Sequence, residues 1–191
     1  MHYVFGKMRN FQGGGYGVSV LTREAPLETR TFYYHQPGQP RNECNDGPST
    51  ADYCQGAVAV RIRDNAANRD VWFLTTHIGL FNMQLDEVKE LVNEYVAELV
   101  KEDPTIPIFI TGDFNSVPTD DAIKYMVSDE ANFVDTWAVA GKGDGFTFNS
   151  QNPFERIDYV FQRKPATYSC SKIVVHESLA SDHFPVIAEF N

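Results

Sequence analysis

A long amphipathic helix between two apolar strands is the feature that most limits what this chain can fold into. From residue 83 to residue 101, apolar side chains recur at helical spacing and charged side chains fill the opposite face. Pro104 ends the helix. Apolar strand patterns lie on either side of it, at 71–77 and 106–111. We therefore predict an α/β protein in which this helix packs outside a sheet. The face predicted to be buried comprises Leu85, Val88, Leu91, Val92, Tyr95 and Leu99, and Glu87, Lys89, Glu90, Asn93, Glu94 and Glu98 form the face predicted to be exposed.

The rest of the chain favours short strands and one more helix. Its 191 residues are 42% hydrophobic, which is enough for one substantial core, so we predict a single domain over 1–191. Thr119 offers an N-cap for a short helix ending at Val127, and the turn-rich segment 36–49 is predicted to be a loop. The predicted strands are 16–21, 57–63 (a hairpin with 71–77), 146–148, 157–161, 172–176 and 186–190.

The charge balance and the cysteines bear on partners and location. A net charge of −10 without a basic stripe disfavours long nucleic acid, unless a bound cation supplies positive charge. Cys44 and Cys54 bracket a polar segment that can close into a bridged loop, leaving Cys170 free, and such a bridge leans toward a secreted or extracytoplasmic location. The sequence contains neither the apolar core of a signal peptide at its start nor a transmembrane run, so a soluble chain is expected.

Several polar side chains stand beside apolar strands rather than on the charged helix face. His77 ends one predicted strand, Asp113 and Asn115 follow another, and His183 comes just before the last. A strand's end and its antiparallel neighbour's start share one rim of a sheet, so these groups are expected to converge. Asp113 and Asn115 are two residues apart, which in extended backbone points both side chains to one face.

Each of these residues also has a purely structural interpretation. Asp113 can close a turn after Gly112, Asp182 and His183 can form a capped turn, and His77 can be a hydrogen-bonded core residue. Asp158 lies inside an apolar strand, and a buried carboxylate needs a partner, for which Arg156 and a histidine are available. In the chemical interpretation, carboxylates orient or deprotonate water and hold a hard cation, while an amide donates to a phosphate oxygen.

The order of four motifs decides between these interpretations. Thr-His at 76–77, Gly-Asp-Phe-Asn at 112–115, Arg-Ile-Asp-Tyr-Val at 156–160 and Ser-Asp-His-Phe-Pro-Val at 181–186 follow one another along the chain. This series, from about Gly14 to Phe190, resembles the endonuclease/exonuclease/phosphatase superfamily, to which deoxyribonuclease I belongs. The resemblance implies a DNase I-like four-layer α/β sandwich with mostly antiparallel or mixed sheets.

The resemblance also implies a role for each matching position. His77 would contact the phosphate, Asp113 would position the attacking water, and Asn115 would hold the phosphate. His183 would act as general acid or base, oriented by Asp158. Mg2+, or Mn2+ or Ca2+ in its place, would bind at Asp182, with Asp113 and Asn115 as further ligands.

One departure from the family pattern qualifies these roles. The family's main magnesium ligand is the glutamate of an early Gln-Glu pair, and this sequence contains no such pair. We therefore expect an N-terminally truncated domain, about the C-terminal two-thirds, with weak activity and poor cation affinity. We also expect that it forms a homodimer to cover uncovered sheet edges.

Three functional hypotheses follow from the residues and the resemblance. The first is a metal-dependent phosphoesterase in which water attacks in line, acting on nucleic acid, a nucleotide, an inositol phosphate or a phospholipid head group. The second is a catalytically impaired phosphate-binding or regulatory module of the same family. The third, a purely structural sandwich, is disfavoured because so many polar groups occur together.

Overall fold

A mixed six-stranded sheet forms the centre of the protein. The computed structural model describes residues 1–35, 54–80 and 83–191. The sheet has the order β3-β4-β5-β6-β8-β7, and only the pair β5–β6 is parallel. Its strands are β3 (Glu28–Tyr33), β4 (Gly56–Asp64), β5 (Arg69–His77), β6 (Ile108–Asp113), β7 (Phe133–Asp135) and β8 (Asp158–Arg163). Two antiparallel hairpins accompany it, β1 (His2–Phe11) with β2 (Gly14–Thr22), and β9 (Cys170–Val175) with β10 (Val186–Phe190).

One face of the sheet is covered by the predicted long helix. It runs as α1 (Gln84–Glu90), a π-helical segment (Leu91–Val96) and α2 (Ala97–Leu99), and it connects the parallel strands β5 and β6. Its buried side chains share one core with Leu74 and Ile110 of those strands. The predicted apolar face is confirmed: Val88, Leu91, Val92, Tyr95 and Leu99 are buried, and Leu85 packs against them. Two shorter helices are α3 (Asp121–Met126) and α4 (Thr136–Ala140).

Both hairpins lie on the opposite face of the sheet. The first hairpin packs through Met8 and its valines onto Val58 and Val60. On the same face, the Phe109 ring stacks 5.0 Å from that of Phe73 and lies 4.7 Å from that of Phe190 in β10. The predicted α/β sandwich with mostly antiparallel strands is therefore confirmed.

Several local predictions differ from the observed elements. The segment 146–148 makes only isolated bridges, from Phe148 to Glu155 and to His183, because the chain there turns rather than runs along a partner. The N-cap of α3 is Asp120 instead of Thr119. Strands β1, β3 and β7 and helix α4 were not predicted, since they are short or lack a clean alternation of apolar and polar residues. The predicted hairpin of 57–63 with 71–77 is confirmed as β4–β5.

The cysteine prediction concerns a segment only partly within the described ranges. Cys170 is a free thiol, as predicted, and Cys54 is buried. Cys44, the predicted loop at 36–49 and hence the Cys44–Cys54 bridge lie outside the described residues, so the bridge stays a prediction. Among the helices of the described ranges, none is long and apolar enough to cross a membrane.

Glu87 is the one clear error on the predicted exposed face of the helix. Its side chain is only 3% exposed, because its Oε2 accepts a hydrogen bond of 2.6 Å from the Gly79 backbone N–H. Burial raises the pKa of Glu87 to about 7. The hydrogen bond from Gly79 opposes this rise, and the nearby charge of Glu90 adds to it.

We expect Glu87→Gln to remove a loss of stability that the native protein suffers as pH rises. The folded protein holds the Glu87 proton more tightly than the unfolded chain does, whose pKa is near the ordinary 4.5, so stability falls between about pH 4.5 and pH 7. This difference in pKa corresponds to a loss of about 3 kcal/mol in the free energy of unfolding at pH 8. Gln keeps an acceptor for Gly79, so urea unfolding should show the variant close to the native protein at pH 4 and more stable at pH 8. Parallel stability curves for the two proteins would contradict the assignment.

Candidate active site

Three of the predicted site residues lie side by side on one rung of the central sheet. His77 at the end of β5 is in register with Asp113 at the end of β6, and Asp113 is in register with Asp158 at the start of β8. Residues opposite each other on neighbouring strands share a face of the sheet. All three side chains therefore project to the face on which the hairpins pack, and the predicted convergence is observed.

His183 approaches this rung from the loop before β10. Its Nδ1 lies 2.8 Å from Asp158 Oδ2, and its Nε2 lies 4.0 Å from Asp113 Oδ2. Burial disfavours the charged ring, but the hydrogen bond to Asp158 and the negative charges of Asp158, Asp113 and Asp182 outweigh it, so the pKa of His183 is raised. The predicted contact between Asp158 and His183 is confirmed, whereas Arg156, the other partner considered for Asp158, pairs with Asp135.

The chain turns sharply after Asp113, and the extended backbone predicted for 113–115 is wrong. Asn115 has a positive φ of 45°, and its backbone N–H donates to Asp113 Oδ1 over 2.8 Å. Asn115 thereby reaches back to β5, where its Nδ2 donates to Ile78 O at 2.8 Å and lies 3.2 Å from His77 Nε2. The turn and the convergent site coexist, so the two interpretations of this motif were not exclusive.

Gly112 allows this close approach of β6 to β5. Its φ is 141°, and a Cβ added there would lie 1.9 Å from the backbone oxygen of Thr76. Any side chain would push the two strands apart at the rung that carries His77 and Asp113.

Asp113 stands at the centre of the negative charge of the site. Its Oδ2 lies 3.5 Å from His77 Nε2. Burial raises the pKa of Asp113 to about 6, against the hydrogen bond from Asn115 and with help from the charges of Asp158 and Asp182. The ring of His77 has a lowered pKa, first because of burial and then because of the positive charge of His183.

The oxygen atoms of the site provide some of the ligands that a hard divalent cation requires. Asp113 and Asp182 supply carboxylate oxygens, and the amide oxygen of Asn115 lies on the edge of the group opposite its bonded Nδ2. Asp182 is exposed at the rim, where its Oδ1 accepts from Ser181 Oγ at 3.2 Å. Within the described ranges, however, no three His, Cys, Asp or Glu residues are placed to hold a metal together. A cation would therefore depend on one or two carboxylates, water and substrate oxygens, as Mg2+ often does.

Two buried contacts hold the strand that carries Asp158. Thr147 is fully buried, and its Oγ1 accepts from the backbone N–H groups of Ile157 and Asp158, both at 3.2 Å. Arg156 Nη2 lies 2.8 Å from Asp135 Oδ2, and both side chains are less than 9% exposed. These contacts fix the start of β8, where Asp158 lies.

Sequence reasoning missed two aromatic residues in the site. The hydroxyl of Tyr16 lies 3.0 Å from His77 Nδ1, and the ring of Phe148 lies 5.0 Å from that of His183. The alternation of Tyr16, Val18 and Val20 was a signal that Tyr16 faces the sheet together with the two valines. No sequence pattern indicated that this face leads to His77.

Comparisons with known proteins match the chain to a family model and to a curated relative. The model of the Endonuclease/Exonuclease/phosphatase family matches residues 1–183. The protein angel of Drosophila melanogaster is 28% identical over 127 residues, a stretch that is 56% of this chain and 36% of that protein, so the match spans well under half of the curated relative. The expected N-terminal truncation stays a prediction.

Solved structures show the same fold at low identity. A mannosyl-6-phosphatase of Bacteroides thetaiotaomicron superposes with a TM-score of 0.76 and 19% identity, covering 99% of this chain and 77% of that one. The human Nocturnin catalytic domain, solved with bound sulfate, superposes with a TM-score of 0.75 at 14% identity. The match covers 100% of this chain and 72% of that one. The fold is DNase I-like, and the family model extends over nearly the whole sequence. This chain belongs to the endonuclease/exonuclease/phosphatase family.

Proposed function

We propose that this protein is a metal-dependent phosphoesterase that hydrolyses a phosphodiester or phosphomonoester by in-line attack of water. The observation that supports it most is the Asp158–His183 pair, which faces Asp113 across 4.0 Å on a rung shared with His77. A fixed imidazole and a separate carboxylate provide the two proton-handling groups that attack and departure require. The names of relatives, among them a phosphatase, support the same reaction class.

Each group has a definite task in the proposed reaction. Asp113 orients the attacking water and accepts its proton, while His183 delivers a proton to the departing oxygen through Nε2. Asp158 holds the other ring nitrogen, so that Nε2 faces the substrate. His77 and Asn115 line the wall against which we place the phosphate. Asp113, Asp182 and the Asn115 amide oxygen would hold Mg2+, Mn2+ or Ca2+, which supplies positive charge beside the phosphate oxygens when bound.

A substrate panel tests this proposal. The purified chain is assayed with Mg2+ and with a chelator against bis-p-nitrophenyl phosphate, supercoiled DNA, nucleotides, inositol phosphates and sphingomyelin. Turnover of at least one phosphoester that the chelator abolishes supports the proposal and names the substrate class. The excess of acidic residues predicts that small or membrane-borne phosphoesters are preferred to long nucleic acid. No turnover of any member would refute it.

One observation favours the second hypothesis, a phosphate-binding or regulatory module with impaired catalysis. The described ranges contain no cluster of three metal-ligating side chains, so cation affinity should be poor. Titration with Mg2+ by calorimetry separates the two functions: an enzyme binds the ion near physiological concentration, and the impaired module does not.

The proposed homodimer concerns the first hairpin. Tyr3, Phe5 and Leu21 are large apolar residues that stand exposed on β1 and β2. We propose that this surface is where two copies meet. Light scattering coupled to size exclusion gives the molar mass in solution, and a monomer at high concentration would exclude the dimer.

A further inference from the structure

Tyr16 reaches the site from the hairpin layer, across the interface with the sheet. A β-bulge between Lys7 and Arg9 shifts the register of the hairpin, so that Arg9 lies opposite Tyr16. The guanidinium of Arg9 lies 4.5 Å from the centre of the Tyr16 ring. This stacked cation holds the ring in a position that brings its hydroxyl 3.0 Å from His77 Nδ1.

The direction of the hydrogen bonds around His77 is set by a backbone carbonyl. Ile78 O only accepts, so the side-chain edge of Asn115 that faces it at 2.8 Å must be the NH2 group. The same nitrogen lies 3.2 Å from His77 Nε2. A nitrogen that faces an amide NH2 group must accept, and Nε2 of His77 therefore carries no hydrogen.

The hydrogen of the His77 ring then sits on Nδ1 and is donated to Tyr16. Because Nε2 accepts from Asn115, the ring is neutral and carries its single N–H on Nδ1, 3.0 Å from the Tyr16 hydroxyl. With that N–H on Tyr16 and both Asn115 amide hydrogens engaged by Ile78 and His77, these two side chains have no hydrogen left for the phosphate.

The hydroxyl hydrogen of Tyr16 ends this chain of hydrogen bonds. The Tyr16 oxygen accepts from His77, so its own hydrogen points elsewhere. Across residues 1–35, 54–80 and 83–191, no other side chain or backbone group lies within hydrogen-bond distance of the Tyr16 hydroxyl. The hydroxyl is therefore an uncommitted donor beside the rung of His77 and Asp113.

We infer that Tyr16 is a further catalytic residue, whose hydroxyl donates a hydrogen bond to a non-bridging oxygen of the substrate phosphate. The inference rests on the proposed function. It also changes the tasks of His77 and Asn115, which act on the phosphate through Tyr16 by fixing the direction of its hydrogen bond.

The experiment introduces Tyr16→Phe into the native protein and into His77→Ala, and measures Mg2+-dependent hydrolysis of bis-p-nitrophenyl phosphate. Phe keeps the ring that packs against Arg9 and Phe11 and removes only the hydroxyl. Loss of one donor to the charge that develops on phosphate should lower kcat about a hundredfold. A smaller fall should remain in the His77→Ala background, because the hydroxyl touches the phosphate itself even when His77 no longer fixes its direction. Tyr168→Phe is the matched control, because its hydroxyl donates to Asp64 at the opposite end of β4 from the rung, and it should leave kcat unchanged.

Two results would overturn the inference while leaving the proposed function intact. An unchanged kcat for Tyr16→Phe would exclude the contact, and a fall confined to the background with His77 would show that Tyr16 only positions that ring. Calorimetry with inorganic phosphate gives a readout that does not need turnover. Tyr16→Phe should weaken phosphate binding about tenfold, and unchanged binding would contradict the contact. If the native protein turns over no phosphoester of the substrate panel, the proposed function fails and this binding arm alone decides whether Tyr16 contacts phosphate.

Discussion

Replacing His183 by alanine is expected to lower phosphoester turnover by a factor of about 10² to 10⁴. The ring is the only imidazole of the site held by a carboxylate through Nδ1, with its Nε2 directed toward Asp113. Alanine removes the proposed proton donor without disturbing the core, since His183 lies at the rim in the loop before β10. Steady-state rates measured with Mg2+ give the factor, and melting temperatures verify that the variant is folded.

His176→Ala provides the matched control for this prediction. His176 is an exposed histidine just after β9, and its backbone N–H donates to Pro185 O, a bond that alanine retains. The turnover rate of His176→Ala should equal that of the native protein.

Asp158→Asn should lower turnover strongly. The double variant of Asp158→Asn with His183→Ala should be no slower than His183→Ala alone, because the two residues act as a unit. Independent, multiplying effects would contradict the pairing.

A second large effect is predicted on the stability of the protein when the buried ion pair of Arg156 and Asp135 is broken. Arg156→Met should destabilise the protein by about 3 to 5 kcal/mol, because it leaves the Asp135 carboxylate buried without its partner. Such a loss lowers the melting temperature by roughly 10 °C for a chain of this size. Urea unfolding at pH 7 measures it.

A double variant tests whether the uncompensated charge is the cause. Asp135 Oδ1 also accepts from the Trp137 N–H at the start of α4, and Asn can keep that bond while removing the charge. Asp135→Asn combined with Arg156→Met should therefore recover more than half of the loss. If the double variant is as unstable as Arg156→Met, the lost packing of Arg156 over the Tyr159 ring is the cause instead.

The sequence was sufficient to predict the parts of the fold that depend on periodicity. The helix of 83–101 and the strands that carry His77 and Asp113 have repeats long enough to indicate both element type and buried face. The sequence predicted that the strand ends carrying these residues converge, but it did not predict that the residues lie opposite one another on neighbouring strands. Register depends on pairing between strands that are far apart in sequence, which one chain's pattern does not specify.

What the sequence did not predict depends on contacts between layers. Glu87 was assigned to the exposed helix face, and its burial follows from the position of the Gly79 N–H after β5. Arg156 was considered beside a histidine as a partner for Asp158, two residues away, but it bonds to Asp135, 21 residues earlier in the chain. Tyr16 became a site residue only through the bulged register of the first hairpin and the packing of that hairpin on the sheet. Each depends on tertiary placement, for which local pattern carries no information.

The most direct test of the proposed phosphoesterase is the rate at which Asp113→Asn and the native protein hydrolyse the best phosphoester substrate of the panel, both with saturating Mg2+. Asp113 lies at the centre of the rung, and the proposal assigns to it both the attacking water and the cation. Asn keeps its shape and its acceptor for the Asn115 N–H. We predict metal-dependent turnover by the native protein and a fall of at least about a hundredfold in the variant. Native turnover that survives Asp113→Asn, or no native turnover at all, would contradict it.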